Sequence, residues 1–415
     1  MTQQSPNIEL LLEKPKLAAG GSQTVDVFVR VTPPNVYTAE VKRPKLNIGI
    51  ALDRSGSMSG VKMREAREAA KYCIDQLLPS DIFSAVIFDD VVDVLFTSQP
   101  VENREMLKRG IDRIEARNST ALHQGWVEAG LQVSERLDGR AINRVLLITD
   151  GQANVGETNP TRIIEQARSV AARGVSTSTI GIGTDFNEDL LMPMAEAGQG
   201  NAWHVQEPDD MRRIFETELN GLLMQFGHSV TLHISPAQGV KVEDVLNDFE
   251  KDADGRFILP NLMHGSPLNM VVRLSMPAGN VGDIRELATL TVSYVSQASN
   301  DARTEVARLA AEFESREAVD LLPVNAAVIE TVTLLNNARA RREMMEHMDA
   351  GRYAAAASTL KSVADHTEIA FASVPSPKLA EELSDLDDLQ PMLARADIST
   401  RKRMAYRRES TRKSK

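Results

Sequence analysis

The period of the apolar positions changes twice along the chain, and these changes predict different kinds of structure. Up to about residue 44, segments such as TVDVFVRVT alternate apolar and polar residues, which is typical of β-strands. From about residue 45 to 225, short apolar runs alternate with longer segments of helical period. After Gly227 the period returns to two, in segments such as HSVTLHISP and IRELATLTVSYVS. The pattern therefore predicts an α/β region between two groups of strands.

The central region, 45–225, has the pattern of a doubly wound α/β domain. NRVLLITD and VSTSTIGIG are nearly continuous apolar or β-branched runs, as expected of parallel strands that are buried on both faces. Strands and helices that alternate in this way form a mostly parallel sheet with helices on both sides. The predicted strands are 46–53, 82–88, 91–96, 143–149, 175–182 and 202–206. The predicted helices are 60–78, 102–115, 121–137, 159–173, 187–197 and 208–224.

The two flanking groups of strands, in residues 1–44 and 226–298, share the same antiparallel character. In the second group, DADG at 252–255 has the composition of a hairpin turn. We expect the two groups to pair with each other and to form one antiparallel β-sandwich into which the α/β domain is inserted.

Helical and strongly charged segments make up the remainder of the chain. Residues 299–373 have a helical pattern, with helices predicted at about 300–320 and 325–349 and a third after the turn in MDAGRYAAAASTL. The last region, 374–415, carries an acidic segment, KLAEELSDLDDL, followed by a basic one. Segments so rich in charge are typically disordered, so we expect a linker and an unstructured basic tail. RRES in this tail fits a basophilic kinase consensus, which makes Ser410 a candidate phosphorylation site.

Composition and charge limit the classes of partner. The formal net charge of -11 argues against nucleic acid as the main partner, although the basic tail could bind nucleic acid, anionic lipid or the acidic segment of the same chain. No apolar run approaches the roughly 20 residues of a membrane-spanning helix. The first residues lack the basic-then-apolar layout of a signal peptide, and the single cysteine, Cys73, leaves no intrachain disulfide. These features predict a cytoplasmic protein.

Candidate chemistry lies in ALDRSGSMSG, which includes the end of the first strand of the α/β domain. Its spacing differs from the phosphate-binding G-x-x-x-x-G-K-[ST] loop and from the G-x-S-x-G turn of a nucleophilic serine. What remains is D-x-S-x-S, formed by Asp53, Ser55 and Ser57, at the edge where open parallel sheets bind ligands. Oxygen atoms of this kind suit a small hard cation such as Mg²⁺, but three side chains leave its coordination incomplete.

Two further segments supply oxygen atoms from the same predicted edge. Thr120 lies in RNSTALHQG just before a helix, and Asp150 follows the buried strand in LLITDGQAN. Together with the D-x-S-x-S loop, this set resembles the von Willebrand factor A (VWA) domain and its metal-ion-dependent adhesion site (MIDAS). The resemblance covers roughly 46–224. Many members of that family read G-G-T-A-L where this chain has Asn118 and Ser119 before its threonine.

The resemblance implies a complete adhesion site, in which Ser55, Ser57 and Thr120 offer hydroxyls to the metal. Asp53 and Asp150 would bind the metal directly or through water. Mg²⁺ is the expected ion, with Mn²⁺ or Ca²⁺ as alternatives. In this family one coordination position is typically left open for an aspartate or glutamate of a protein partner. Intracellular bacterial members often act with AAA+ ATPases, or with kinase and phosphatase pairs, in assembly or signalling. These implied properties favour a non-catalytic, metal-dependent adaptor protein.

Two residues near the predicted site and two other functions stay open. His123 and Asp89 are candidates for the rim of the site, although a surface histidine and a turn aspartate are the ordinary interpretations. A metal-dependent hydrolase or phosphatase is the alternative function, but we find no activated nucleophile, and the edge offers only two strong carboxylate candidates. A structural or nucleic-acid-associated protein that works through the basic tail is a third hypothesis.

Overall fold

The structure of the 415-residue chain is a computed structural model. It describes residues 5–35, 43–117, 119–151, 153–183, 186–205, 207, 210–394 and 398–413. Two compact units are present. The first contains Met1–Tyr37, Phe226–Ser296 and Asp301–Lys415, and the second contains Thr38–Gln225 with Gln297–Asn300.

The elements are numbered in chain order. The strands are β1 (Asn7–Leu12), β2 (Lys16–Ala18), β3 (Gln23–Thr32), β4 (Leu46–Asp53), β5 (Ile82–Phe88), β6 (Val92–Pro100), β7 (Ile142–Thr149), β8 (Ser176–Ile182), β9 (Ala202–Val205), β10 (Gln225–Pro236), β11 (Lys241–Val245), β12 (Phe257–Ile258), β13 (Leu262–Met263), β14 (Leu268–Met276), β15 (Ile284–Ser296) and β16 (Ala302–Glu314). The helices are α1 (Val61–Gln76), α2 (Arg104–Asp112), α3 (Leu122–Ser134), α4 (Pro160–Ala172), α5 (Glu188–Ala197), α6 (Met211–Leu223), α7 (Arg316–Asp320), α8 (Ala326–Asp349), α9 (Tyr353–Ser373), α10 (Pro377–Ala394) and α11 (Ile398–Arg412).

The second unit is the predicted doubly wound α/β domain. Its sheet has the strand order β6-β5-β4-β7-β8-β9, and all pairs are parallel except β5 with β6. Every residue of the central strand β4 is buried, as its apolar run predicts. Ile48 and Ile50 face the core formed with α1, α2 and α6. Gly49 faces α3 so closely that a Cβ there would lie 2.6 Å from Val133. Helices thus cover both faces, and the predicted fold class is confirmed.

The first unit contains the predicted β-sandwich. One sheet has the order β1-β3-β14-β11, and the other has the order β12-β10-β15-β16-β2 with β13 beside β10. β3 pairs antiparallel with β14 from Val31 to Gln23, so the strands before the α/β domain do join those after it. All described pairs in these two sheets are antiparallel except β2 with β16. The DADG turn lies inside a bridge between Lys251 and Phe257, as predicted for a hairpin.

The prediction of a helix at about 300–320 is wrong for most of its length. Residues 302–314 form β16, which pairs with β15 from Ala302 to Glu312. Leu309, Ala311 and Phe313 alternate into the sandwich core. Pairing with a long neighbouring strand therefore overrides the local helix preference of this Ala-, Arg- and Glu-rich segment. Only the short helix α7 follows.

The unstructured basic tail is also a wrong prediction, because both charged segments are helical. α10 carries the acidic residues and α11 the basic ones. Arg403 of α11 lies 2.7 Å from Asp385 and 3.1 Å from Asp388, and Arg407 lies 2.8 Å from Glu381. Opposite charges thus neutralise each other within the chain, which is the intramolecular alternative left open above. None of the helices in the described part of the chain is long and apolar enough to cross a membrane.

Candidate metal centre

The D-x-S-x-S loop begins at the carboxyl end of β4. Asp53 is the last residue of that strand, and its Oδ1 accepts the backbone N–H of Ser55 at 2.8 Å. Residues 56–58 form one 3₁₀ turn, which the buried side chain of Met58 anchors in the core. Gly60 then adopts a φ of 77°, a conformation that favours glycine, and α1 begins at the next residue. The loop is therefore held at both ends by the fold.

The five predicted site residues come together at this edge of the sheet. The hydroxyl oxygens of Ser55 and Ser57 lie 3.1 Å apart, and the hydroxyl of Ser57 donates to Oδ1 of Asp150 at 2.7 Å. A Cβ placed on Gly151 would lie 3.6 Å from Thr120 Oγ1, 3.9 Å from Asp53 Oδ2 and 4.0 Å from Ser57 Oγ. Oxygen atoms from three separate segments thus converge on one small volume beside Gly151.

The chemistry of these donors fits a hard divalent cation. Two carboxylates and three hydroxyls contribute oxygen only, the ligand type that Mg²⁺, Mn²⁺ and Ca²⁺ prefer. Asp53 and Asp150 are 0% and 1% exposed, whereas Ser57 is exposed, so the cluster opens to solvent through the loop. In the described part of the chain, no group of three or more His, Cys, Asp or Glu side chains could hold a metal. A thiolate or imidazole site of the kind that softer metals use is therefore not found there.

Burial disfavours the ionised form of the Asp53 side chain. The pKa of this carboxyl is raised from 3.8 to about 6, chiefly by loss of solvent and to a smaller extent by the charge of Asp150. Hydrogen bonds from the hydroxyl of Thr149, at 2.5 Å, and from Ser55 act in the opposite direction. The donors to this carboxylate in the described part of the chain are thus neutral. A cation at this position would remove the unfavourable energy of the buried charge.

Asp150 has a cationic neighbour that the sequence pattern does not reveal. The ammonium of Lys62 donates to Oδ2 of Asp150 at 2.5 Å, while Oδ1 accepts from Ser57. The feature of the sequence that relates to this contact is the position of Lys62. It is the second residue of α1, a helix that starts at the same sheet edge as Asp150.

The Thr120 loop is positioned by its neighbours. The N–H of Thr120 donates to Oδ1 of Asn154 at 2.9 Å, and its carbonyl accepts the N–H groups of Asn154 and Val155. Ser119 is exposed, and Asn118 lies outside the described residues. Asn154 and Thr149, which sequence reasoning missed, both lie within four residues of Asp150 in the chain, and only their hydrogen bonds identify their roles.

Asp89 does not offer charge at the rim, contrary to the expectation. It is fully buried, and its carboxylate lies 2.5 Å from Arg117 and 3.1 Å from Arg54. Burial alone would raise its pKa, but the N–H of Val91 and the two guanidinium groups hold the pKa below its ordinary value. Its carbonyl also accepts the N–H of Ala121 at 2.6 Å. Asp89 is therefore a positioning residue that ties the Thr120 loop to the end of β5.

The two remaining candidates are His123 on α3 and Ser410 on α11. His123 Nε2 is 2.7 Å from Oε1 of Gln166, so this histidine joins α3 to α4. Ser410 lies on α11 and is half-buried, and its phosphorylation stays a prediction.

Comparisons with known proteins agree with this architecture. Residues 47–217 match the family model for the von Willebrand factor type A domain. The structure of von Willebrand factor type A from Catenulispora acidiphila superimposes with a TM-score of 0.72 at 18% identity, covering 97% of this chain and 96% of that one. The ArnB paralog VWA2 from Sulfolobus acidocaldarius superimposes with a TM-score of 0.61 at 16% identity, covering 99% and 98%. At these identities the likeness shows the fold alone.

Sequence relatives align over a smaller part of the chain. The uncharacterized protein sll0103 of Synechocystis is 26% identical over 209 residues, which is 50% of this chain and 49% of that protein. The chain spans about half, or less, of the length of the curated relatives it matches.

Proposed function

We propose that the von Willebrand factor type A domain at 47–217 holds a divalent cation and uses it to bind an acidic side chain of a protein partner. The proposed ligands are Asp53, Ser55, Ser57, Thr120 and Asp150. The observation that carries this proposal is the convergence of oxygen atoms from three segments around Gly151. A bound divalent cation would supply a positive centre on which a partner carboxylate can replace water.

The chain's own residues prepare this centre before any partner arrives. The Ser55 N–H and the Thr149 hydroxyl each hold one oxygen of Asp53, so that carboxylate has a fixed orientation. Asn154 fixes the backbone of Thr120. The exposed side of the cluster, at Ser57, is where an external carboxylate would approach. Pre-organised oxygen atoms of this kind reduce the free-energy cost of ordering a site on binding.

The proposed role is that of a non-catalytic adaptor. No hydrogen bond joins a histidine to the hydroxyls of Ser55, Ser57 or Thr120 in the described structure, so these hydroxyls lack the imidazole base of an activated nucleophile. Mg²⁺ is the proposed ion, with Mn²⁺ or Ca²⁺ as alternatives. A cytoplasmic location, which the sequence features predict, belongs to the same proposal. Action with an AAA+ ATPase or a kinase–phosphatase pair is also part of it and rests on the family resemblance.

The proposal is tested by capture of partners on the immobilised protein. Wild type, Thr120→Ala and the matched control Ser119→Ala are each used with Mg²⁺ and with EDTA. We expect one set of partners to bind wild type and the control with Mg²⁺, and to be lost with EDTA or with Thr120→Ala. Replacing the partner's bridging Asp or Glu by its amide should then abolish capture. Identical partners under all conditions would contradict the proposal, and metal-dependent turnover of a phosphoester that Asp53→Ala abolishes would favour the hydrolase alternative.

A further inference from the structure

Lys62 forms an ion pair with Asp150, one of the two carboxylates of the oxygen cluster. Asp150 has no exposed side-chain surface, whereas the side chain of Lys62 is 26% exposed. Lys62 reaches the carboxylate from the first turn of α1 and passes close to Gly183, whose Cβ position is 3.8 Å from the ammonium. Both oxygens of Asp150 therefore have donors, Ser57 on one and Lys62 on the other.

Lys62 is the described cation that contacts one of the two carboxylates of the cluster, that of Asp150. The neighbouring Arg54 is engaged elsewhere, because its guanidinium contacts Asp89 and Asp93. Among the described residues, Asp53 accepts from Thr149 and Ser55, which carry no charge. Lys62 thus offsets one of the two negative charges that Asp53 and Asp150 carry when both are ionised.

We propose that Lys62 is a tethered cation that competes with the divalent metal for Asp150 and thereby sets the metal affinity of the site. This inference rests on the proposed function. A divalent cation that bound Asp150 would repel the ammonium held on the same carboxylate, so metal binding favours the departure of Lys62. Its flexible four-carbon stem and partial exposure allow that movement without a change in the backbone. The ammonium carries a single charge, so a doubly charged ion displaces it more readily than Na⁺ or K⁺ does.

A purely structural role for Lys62 predicts the opposite result. If the ion pair only held Asp150 in the orientation that the metal needs, removal of the charge would leave that carboxylate less ordered and metal binding weaker. Competition instead predicts that metal binding becomes tighter when the ammonium is removed. The sign of the change in affinity therefore separates the two roles.

The test compares Lys62→Met with the matched control Lys71→Met in isothermal titration with Mn²⁺ and Mg²⁺ at constant ionic strength. Lys71 lies on the same helix and pairs with Glu68 and Asp112, away from the oxygen cluster. We expect Lys62→Met to bind Mn²⁺ about tenfold more tightly than wild type, which corresponds to about 1.4 kcal/mol, and Lys71→Met to bind as wild type does.

The possible outcomes test the competition by Lys62 and the proposed metal binding separately. Equal or weaker binding by Lys62→Met, with wild type still binding metal, would overturn the competition and leave the proposed function intact. Binding by Lys62→Met alone would support competition and overturn metal bridging by the wild type. Binding by neither protein would overturn both.

A second measurement uses wild type, so it does not depend on the folding of a variant. The ¹⁵N resonance of the Lys62 ammonium should shift on addition of Mg²⁺ and stay unchanged in Thr120→Ala. An unchanged resonance in wild type that has bound Mg²⁺ would overturn the competition.

Discussion

Replacing Asp53 by asparagine should make the metal-depleted protein more stable, although it removes a proposed metal ligand. Asp53 is 0% exposed, and burial raises its pKa from 3.8 to about 6. Since one pH unit corresponds to about 1.36 kcal/mol, the difference between these two values corresponds to about 3 kcal/mol. The folded state binds this proton more tightly than the unfolded state does, so the ionised carboxylate lowers stability above pH 6. That destabilisation disappears as the pH falls from 6 to 3.8.

The assay is urea unfolding in EDTA between pH 4 and pH 8. We expect Asp53→Asn to exceed the wild type in free energy of unfolding by up to about 3 kcal/mol at pH 8. The gap should narrow below pH 6 and close near pH 4. The asparagine Oδ1 can still accept the N–H of Ser55, and the Thr149 hydroxyl can turn to accept from the amide. Asp75→Asn, an exposed carboxylate paired with Lys108, is the control and should show no such pH dependence.

Mg²⁺ at one thousand times its dissociation constant, where the gain of wild type is about 4.1 kcal/mol, should reverse the order of the two proteins. Wild type gains stability because the cation compensates the buried charges, whereas Asp53→Asn has lost one proposed ligand and should gain little. The reasoning would be refuted if Asp53→Asn were no more stable than wild type at pH 8 in EDTA. A gap that did not depend on pH would equally show that the charge of Asp53 is not its cause.

Three further predictions concern the metal, the packing beneath the site and the helical region. Mg²⁺ at one hundred times its dissociation constant should raise the free energy of unfolding of wild type by about 2.7 kcal/mol, and that of Thr120→Ala by much less, in urea titrations. Gly125→Ala should cost about 1–3 kcal/mol in the same assay, because its Cβ would lie 2.3 Å from the buried ring of Phe88; an unchanged midpoint would contradict this. Arg341→Met should cost about 3–5 kcal/mol, because it leaves the buried carboxylate of Glu382 without its 2.6 Å partner, and thermal unfolding at pH 7 would measure the loss.

The α/β domain could be predicted from sequence because its signals are local. A buried parallel strand is a short apolar run, so the predicted bounds of 46–53 are those of β4. The end of such a strand also locates the ligand-binding edge, so the two strand ends predict that Asp53 and Asp150 belong to one site.

The features that sequence analysis missed depend on partners distant in the chain. Residues 302–314 contain good helix formers, and only the pairing with β15 makes them a strand. The basic tail folds because Arg403 and Arg407 meet carboxylates on α10, and composition alone cannot show that complementarity. The contact between Lys62 and Asp150 depends on the direction of one flexible side chain, which no periodicity encodes.

The pairing of α10 with α11 limits what the basic residues of the tail can do for other molecules. The two helices are separated by only three residues, 395–397, so the acidic helix is present at a high effective concentration around the basic one. A polyanion in solution would have to displace this tethered competitor. Its apparent affinity would equal its intrinsic affinity multiplied by the fraction of time that the helices are apart. Much of the positive charge visible in the sequence is therefore already used inside the chain, and the surface offered to nucleic acid or lipid is weaker than the composition of the tail suggests.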